Sequence, residues 1–254
     1  MSRILAVAHN TFRQTVRERL FFNIFIFGAF MLLLGMVVAN ITFGHGDRVV
    51  RSIGLTGITL ALDLIGLLIG VSLIHQEIDK KTLFVVLTRP IRRWEYTVGR
   101  YLGLLLSLAT ALAGLVVMYI PTLMFVGGDP SAADVLAFGS SWLEAGIIAG
   151  FGVMLSAFST PTLSAGMGIG MWIAAATTDD LVRLTANAGG PPHTMAKVVN
   201  YILPSLSRLN FRDAVIYSQS IDLTAYAWAM LYGGVYCVLL VAIASIILSR
   251  REMV

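Results

Sequence analysis

Cysteine is nearly absent: Cys237 stands alone in an apolar run, which excludes a disulfide framework and a thiolate metal cluster. Charge is scarce as well. Only 13% of the 254 residues are charged and 57% are hydrophobic, whereas a soluble domain carries roughly 25% charged residues. Such a chain reads as an integral membrane protein. The four histidines, His9, His45, His75 and His193, are scattered without H-E-x-x-H spacing, so no metal site is expected. No G-x-x-x-x-G-K-[ST] run occurs and no glycine loop joins a strand to a helix, so no nucleotide site or other cofactor is expected in this chain. The net charge of +4 comes without a basic patch interleaved with aromatics, which argues against nucleic acid and for a membrane topology signal. The first long apolar run begins at Phe21 with no small-residue cleavage site after it, so the first span is expected to be retained.

What is present is a series of membrane-length apolar runs. Ile4, Ala8, Phe12, Val16 and Leu20 recur at four-residue spacing with Arg3, Arg13, Arg17 and Arg19 elsewhere around the helix, predicting an amphipathic interfacial helix over 2–20. Residues 21–41 are long enough, at about 1.5 Å each, to cross a hydrocarbon core of roughly 30 Å. Further spans are expected at about 53–74, 101–126, 135–158, 163–184 and 223–248, with a polar loop over 40–52. The run 163–184 is the least clean of them, because Asp179 and Asp180 fall within it. The connection Ser159-Thr160-Pro161-Thr162 is so short that the fifth span must return beside the fourth. Gly146-x-x-x-Gly150 and Gly166-x-x-x-Gly170 predict that these two spans pack tightly as a hairpin. Residues 185–222 are too apolar for a linker and predict short helices or a re-entrant piece over the outer mouth.

The fold class is therefore an all-α integral membrane protein: one transmembrane domain over 1–254, six transmembrane helices, and a short cytoplasmic helix between spans 2 and 3. With both termini on one side, that side holds twelve of the 18 Lys and Arg residues and the other six. The bias places the termini and the loop 75–100 in the cytoplasm. Trp142 and Tyr101 fall near predicted span ends, where interfacial aromatics belong.

The loop carries the strongest chemistry. Leu83, Val86 and Leu87 fall at helical spacing and Pro90 forbids continuation, giving a helix of about two turns parallel to the membrane. Spacing alone fits an anchor between two spans. The run Glu77-x-x-x-x-Thr82-Leu83-x-x-x-Leu87-x-x-Pro90-Ile91-x-Arg93, followed by Gly99-Arg100-Tyr101-Leu102-Gly103, resembles the first cytoplasmic loop of type-2 ATP-binding-cassette (ABC-2) transporter permeases. The Arg-rich N-terminal helix, the six spans, Leu203-Pro204 and the Arg250-Arg251 ending are similar to that family too. Departures are Lys81, where glycine is common, and Tyr96, where an aliphatic is usual.

The resemblance implies a coupling helix at Leu83 to Thr88 that inserts into a groove of a separate ATPase subunit. Glu77 would orient it, Thr82, Val86, Leu87, Arg89 and Pro90 would shape it, and Arg92 and Arg93 would touch the ATPase or lipid headgroups. It further implies two copies of that ATPase, which carries the ATP and Mg, and a second permease chain forming a homodimer. The location implied is a bacterial cytoplasmic (inner) membrane, and the activity is export of an unidentified substrate. Rival readings are an ATPase-driven mechanical unit acting on outer partners without transport, and an intramembrane enzyme, for which Ser140-Ser141 lacks a histidine at the same depth.

Two carboxylates remain within the spans. Asp63 lies mid-span, with Gly66 and Gly70 on its helical face allowing close approach of another helix, and reads as a helix-contact residue rather than a substrate site. Glu144, two residues past Trp142, reads as a residue of the outer rim. Met167 and Met171 share a face of the fifth span and read as gap fillers.

Overall fold

Backbone groups surrounded by apolar side chains must be satisfied within their own segment, and a helix does this with local sequence alone. Every regular element in the computed structural model, which describes residues 3–42, 46–79, 93–186, 194 and 203–250, is accordingly helical. Among these residues the elements are α1 (Arg3–Thr15), α2 (Arg19–Ile41), α3 (Gly46–Asp79), α4 (Arg93–Phe125), α5 (Ala132–Ser156), α6 (Pro161–Ala186), a 3-10 turn (Leu206–Leu209), α7 (Arg212–Ile216) and α8 (Leu223–Arg250). Five of them, α2, α3, α4, α5 and α8, are long and apolar enough to cross a membrane. At 26 residues α6 has the length, but its glycines, threonines and charged end dilute its apolar character.

The helices alternate in direction. We call the end where α3 and α5 begin the upper end and the end where α1 lies the lower end. The centre of the bundle is the parallel pair α3 and α5, whose apolar windows are 72% and 83% buried. Two of their contacts show why these sequences pair. A Cβ on Gly66 would stand 2.8 Å from the Ala145 carbonyl, and one on Gly70 would stand 2.8 Å from that of Ala149, so both sites require hydrogen. Thr59 and Ser141 add a hydroxyl pair at 2.8 Å between the same helices. Around this pair, α2 presents Phe22, Ile26, Phe30, Leu33 and Val37 outward, the face a lipid-exposed helix shows.

Several expectations need correction. The loop over 40–52 is much shorter, because α3 already begins at Gly46 and carries Arg48 and Arg51 on its first turns. The loop over 75–100 likewise narrows, since α3 runs to Asp79 and α4 starts at Arg93. The glycines of the fourth and fifth predicted spans do not zip a hairpin. Gly146 of α5 faces Leu105 of α4 and Cys237 of α8, Gly150 faces Leu240 of α8, and Gly166 and Gly170 of α6 have nothing within 4 Å. In their place, Gly168 meets Leu67 and Leu155, and the Ser164 hydroxyl donates to the Leu155 carbonyl. Tyr101 and Trp142 bond within the bundle: Tyr101 donates to the Gly146 carbonyl at 2.8 Å and Trp142 to the Leu105 carbonyl at 3.2 Å, stitching α4 to α5.

The N-terminal helix α1 packs along the lower end of α4, on a face rotated from the predicted stripe. Ala8, Thr11 and Thr15 are buried, and the helix predicted over 2–20 stops at Thr15, so that Leu20 belongs to α2. Gly99 and Gly103 make this approach possible, because a Cβ on them would meet Val7 and the Ala8 carbonyl at under 3 Å. Between the two glycines, Arg100 donates to the Tyr96 hydroxyl at 2.8 Å and to Gln14 at 3.2 Å.

Candidate functional site

The predicted coupling residues Thr82, Leu83, Val86, Leu87, Arg89, Pro90 and Arg92 lie outside the described residues. Glu77 falls on the last turn of α3 and Arg93 is the first residue of α4, and their side chains also lie outside the description. The backbone thus carries a continuous helix up to one border of that segment and starts another at its far border.

The two intramembrane carboxylates are brought together. Because α3 and α5 run parallel and in close contact, Asp63 stands within electrostatic reach of Glu144. Both are buried, at 3% and 5% exposure. Glu144 is therefore no rim residue: it lies midway along α5, and what covers it comes from far along the chain. The segment 203–222 dips from the upper end into the bundle. Leu209 of its 3-10 turn reaches Gly233 and α7 packs on α3 and α5, so the expectation of short or re-entrant helices holds for this part. The Tyr232 hydroxyl of α8 accepts the Ser205 N–H at 3.1 Å, and Ser207 donates to Asp179 of α6.

This descent delivers Arg212, the first residue of α7, to Glu144 with Nη2 3.7 Å from Oε2. That is an ion pair but not a hydrogen bond, and Nε of the same guanidinium is engaged by Asn210 Oδ1 at 3.0 Å. Trp172 of α6 also interacts with Asp63. Still, Asp63 Oδ1 and Glu144 Oε2 are buried with no hydrogen-bond donor. Above Glu144 lies a cavity of about 320 Å³, whose polar lining is Glu144, Asp179, Ser207, Asn210, Arg212 and Asp213. An ionised side chain at membrane depth costs about 2.5–3.5 kcal/mol on insertion scales, so carboxylates in such a helix are accommodated by facing other helices, as Asp63 and Glu144 do here, and by pairing, as Glu144 does with Arg212.

A second polar cluster sits at the upper end. Asp134 accepts two hydrogen bonds from Arg51 Nη1, at 2.9 and 3.0 Å, and one from the Tyr119 hydroxyl at 3.2 Å. It also accepts the Ser131 N–H at 2.7 Å and the Ser131 hydroxyl at 3.0 Å. Arg51 Nη2 donates to the Asp129 carbonyl at 2.6 Å. One carboxylate thereby joins α3, α4, α5 and the turn before α5, a structural hub. Sequence reasoning passed over it, although Ser131-x-x-Asp134 ahead of an apolar run is a helix-start signal. It also passed over Arg212, for which no local signal exists. Ser140 and Ser141 have packing roles: Ser140 donates to the Ala137 carbonyl and Ser141 pairs with Thr59.

A search among curated proteins returns no match to the chain. The model of the family described as ABC-2 family transporter protein, in contrast, matches residues 5–253, every described element but the first two residues of α1. With α3 and α4 bordering the segment that carries the loop motif, and with several helices apolar and long enough to span, the chain belongs to the ABC-2 transporter family, a family of multi-pass membrane transport components that are not themselves catalytic.

Proposed function

We propose that this chain is the permease subunit of an ABC transporter, coupling ATP hydrolysis by a separate ATPase to export of a substrate across the bacterial cytoplasmic membrane. The family match over residues 5–253 carries the reading. In this reading α6 is the sixth crossing and α1 lies at the cytoplasmic interface. The termini and the segment Lys80–Arg92 are cytoplasmic and the upper end faces out, as the twelve-to-six distribution of Lys and Arg favours. Two ATPase copies bind a pair of identical permeases. The open face of α6, where Gly166 and Gly170 have no neighbour within 4 Å and Leu163 and Ile173 are exposed, favours a second chain as its cover.

Leu83 to Thr88 is the coupling helix, bounded by Glu77, Pro90, Arg92 and Arg93. Power from nucleotide closure reaches the membrane only through a rigid contact, and α3 extends that contact inward. At 34 residues α3 is about 51 Å long, exceeding a hydrocarbon core of roughly 30 Å, so its ends stand in the aqueous or headgroup layers. Replacing Leu83 and Leu87 by Asp is expected to abolish both permease-stimulated ATPase activity and transport in reconstituted complexes while leaving assembly of the permease intact. Undiminished coupling in that double variant would refute the assignment. The mechanical alternative, force passed to outer partners without transport, is favoured by one observation, the link from α3 through Glu144 to Arg212 of the outer segment. Substrate uptake into inverted vesicles by the full complex separates the two.

A further inference from the structure

We propose that the groove between the lower halves of α4 and α8 is a binding site for an anionic phospholipid, with one acyl chain lying in the groove and the headgroup at the arginines of its lower mouth. The groove exists because the side chains that meet there are small or turned away. Val98 of α4 and Ala242 and Ser245 of α8 line it, and Tyr101 directs its hydroxyl to the Gly146 carbonyl of α5. About 540 Å³ is left between the helices, within the roughly 300–1,000 Å³ typical of ligand pockets. Trp94, Leu102, Val238 and Ile246 are exposed along it. Both helices are apolar and long enough to cross a membrane, so this groove faces hydrocarbon.

Its length matches one leaflet. The lining runs from Trp94 to Leu105 on α4, about 17 Å at about 1.5 Å per residue, and from Cys237 to Ile246 on α8, about 14 Å. Half of a roughly 30 Å hydrocarbon core is about 15 Å. A Cβ on Gly146 would meet Cys237 Sγ and the Tyr101 hydroxyl at 3.6 Å each, so Cys237 is level with Tyr101 and α8 carries Ile246 down toward the Trp94 end. There the exposed Trp94 indole marks the headgroup level, which such amphipathic rings favour. Positive charge gathers at the same end. Arg93, next to Trp94, is the first residue of α4, and Arg250, about one turn beyond Ile246, is the last of α8. Their sequence neighbours Arg92 and Arg251 outweigh Glu95 and Glu252. A basic mouth on a cleft between spanning helices selects an anionic headgroup. A second copy of the chain would use the apolar walls and gain nothing from the arginines. The open face proposed for that copy belongs to α6, which packs on α3 and α5, whereas this groove lies between α4 and α8. The proposal requires that the chain span a membrane and not that it couple to an ATPase, so its failure would leave the permease reading intact.

The test is nondenaturing mass spectrometry of the purified full chain in detergent, titrated with phosphatidylglycerol, with phosphatidylcholine of the same acyl chains, and with glycerol 3-phosphate. One phosphatidylglycerol per chain is expected to bind about tenfold or more tightly than phosphatidylcholine, the effect of two basic residues beside an anionic headgroup. Glycerol 3-phosphate, which has the anion and no acyl chain, should neither bind nor compete. Ala242→Trp, which fills the groove, should lose the bound lipid, and Arg93→Gln combined with Arg250→Gln should bind the two lipids equally. Should Ala242→Trp fail to give a monodisperse protein, the arginine pair decides the matter alone. Equal binding of both lipids by the unaltered chain, displacement by glycerol 3-phosphate, or an undiminished preference in the folded variants overturns the proposal. So does an Ala242→Trp chain that keeps its lipid but loses self-association, because a second copy would then be the occupant.

Discussion

A single carboxylate can do more structural work than a whole apolar layer when its partners come from different helices. Asp134 is 2% exposed and is the common acceptor for Arg51, Tyr119 and Ser131. Its removal leaves the Tyr119 phenol without its acceptor and the Arg51 guanidinium with only the Asp129 carbonyl, and breaking a buried pair from one side costs about 3–5 kcal/mol. We expect Asp134→Ala to lower the thermal unfolding midpoint strongly, and Arg51→Met combined with Asp134→Leu to recover much of the loss. A double variant as unstable as Asp134→Ala would contradict this account. Legibility at this scale was uneven. Asp63 was recognised as a helix-contact residue because its own helix carries Gly66 and Gly70. Glu144 was misplaced at the rim because the inference leaned on its neighbour Trp142, which turns out to bond α4. The true partner of Glu144, Arg212, is delivered by tertiary descent of a segment whose local sequence announces no destination.

At the scale of elements, apolar length located the long helices well and their ends poorly. Charged residues at 47–51 read as loop, yet α3 absorbs them because Arg51 is neutralised by Asp134 and its first turns need not be apolar to be helical. The Gly99-Arg100-Tyr101-Leu102-Gly103 stretch entered as part of a family likeness and gains a physical meaning: two glycines form the seat of α1, Arg100 fastens it to Gln14, and Tyr101 faces the other way to bond α5. A Val at position 103 would collide with the Ala8 carbonyl, where even a Cβ would stand 2.5 Å away, and with Thr11. Gly103→Val is therefore expected to lift α1 from α4, seen as faster proteolysis at Arg13 or Arg17 and a longer spin-label distance between α1 and α4. Unchanged protection would show that the seat is not required. Glycine patterns proved a weaker guide to pairing, since Gly166 and Gly170 spell the same motif as Gly66 and Gly70 but face open space.

At the scale of the whole molecule, the proposed six-crossing topology makes a sharp demand on α6. In a background of Cys237→Ser, cysteines placed at exposed Asp129 and Gln219 should react with a membrane-impermeant maleimide from outside intact cells, and one at exposed Thr160 only after permeabilisation. Equal reactivity of Thr160→Cys and Gln219→Cys before permeabilisation would mean that α6 does not cross. The same bundle has a consequence for regulation. The helix that borders the predicted ATPase contact, α3, also holds Asp63 beside Glu144 with no proline along its length. If its displacement changes how Glu144 meets Arg212, equilibrium linkage makes the influence reciprocal, so that breaking that ion pair alters the affinity for the proposed ATPase partner by the same factor that the partner alters the pairing. The segment 203–222 and the proposed coupling contact would then inform one another through one unbroken helix.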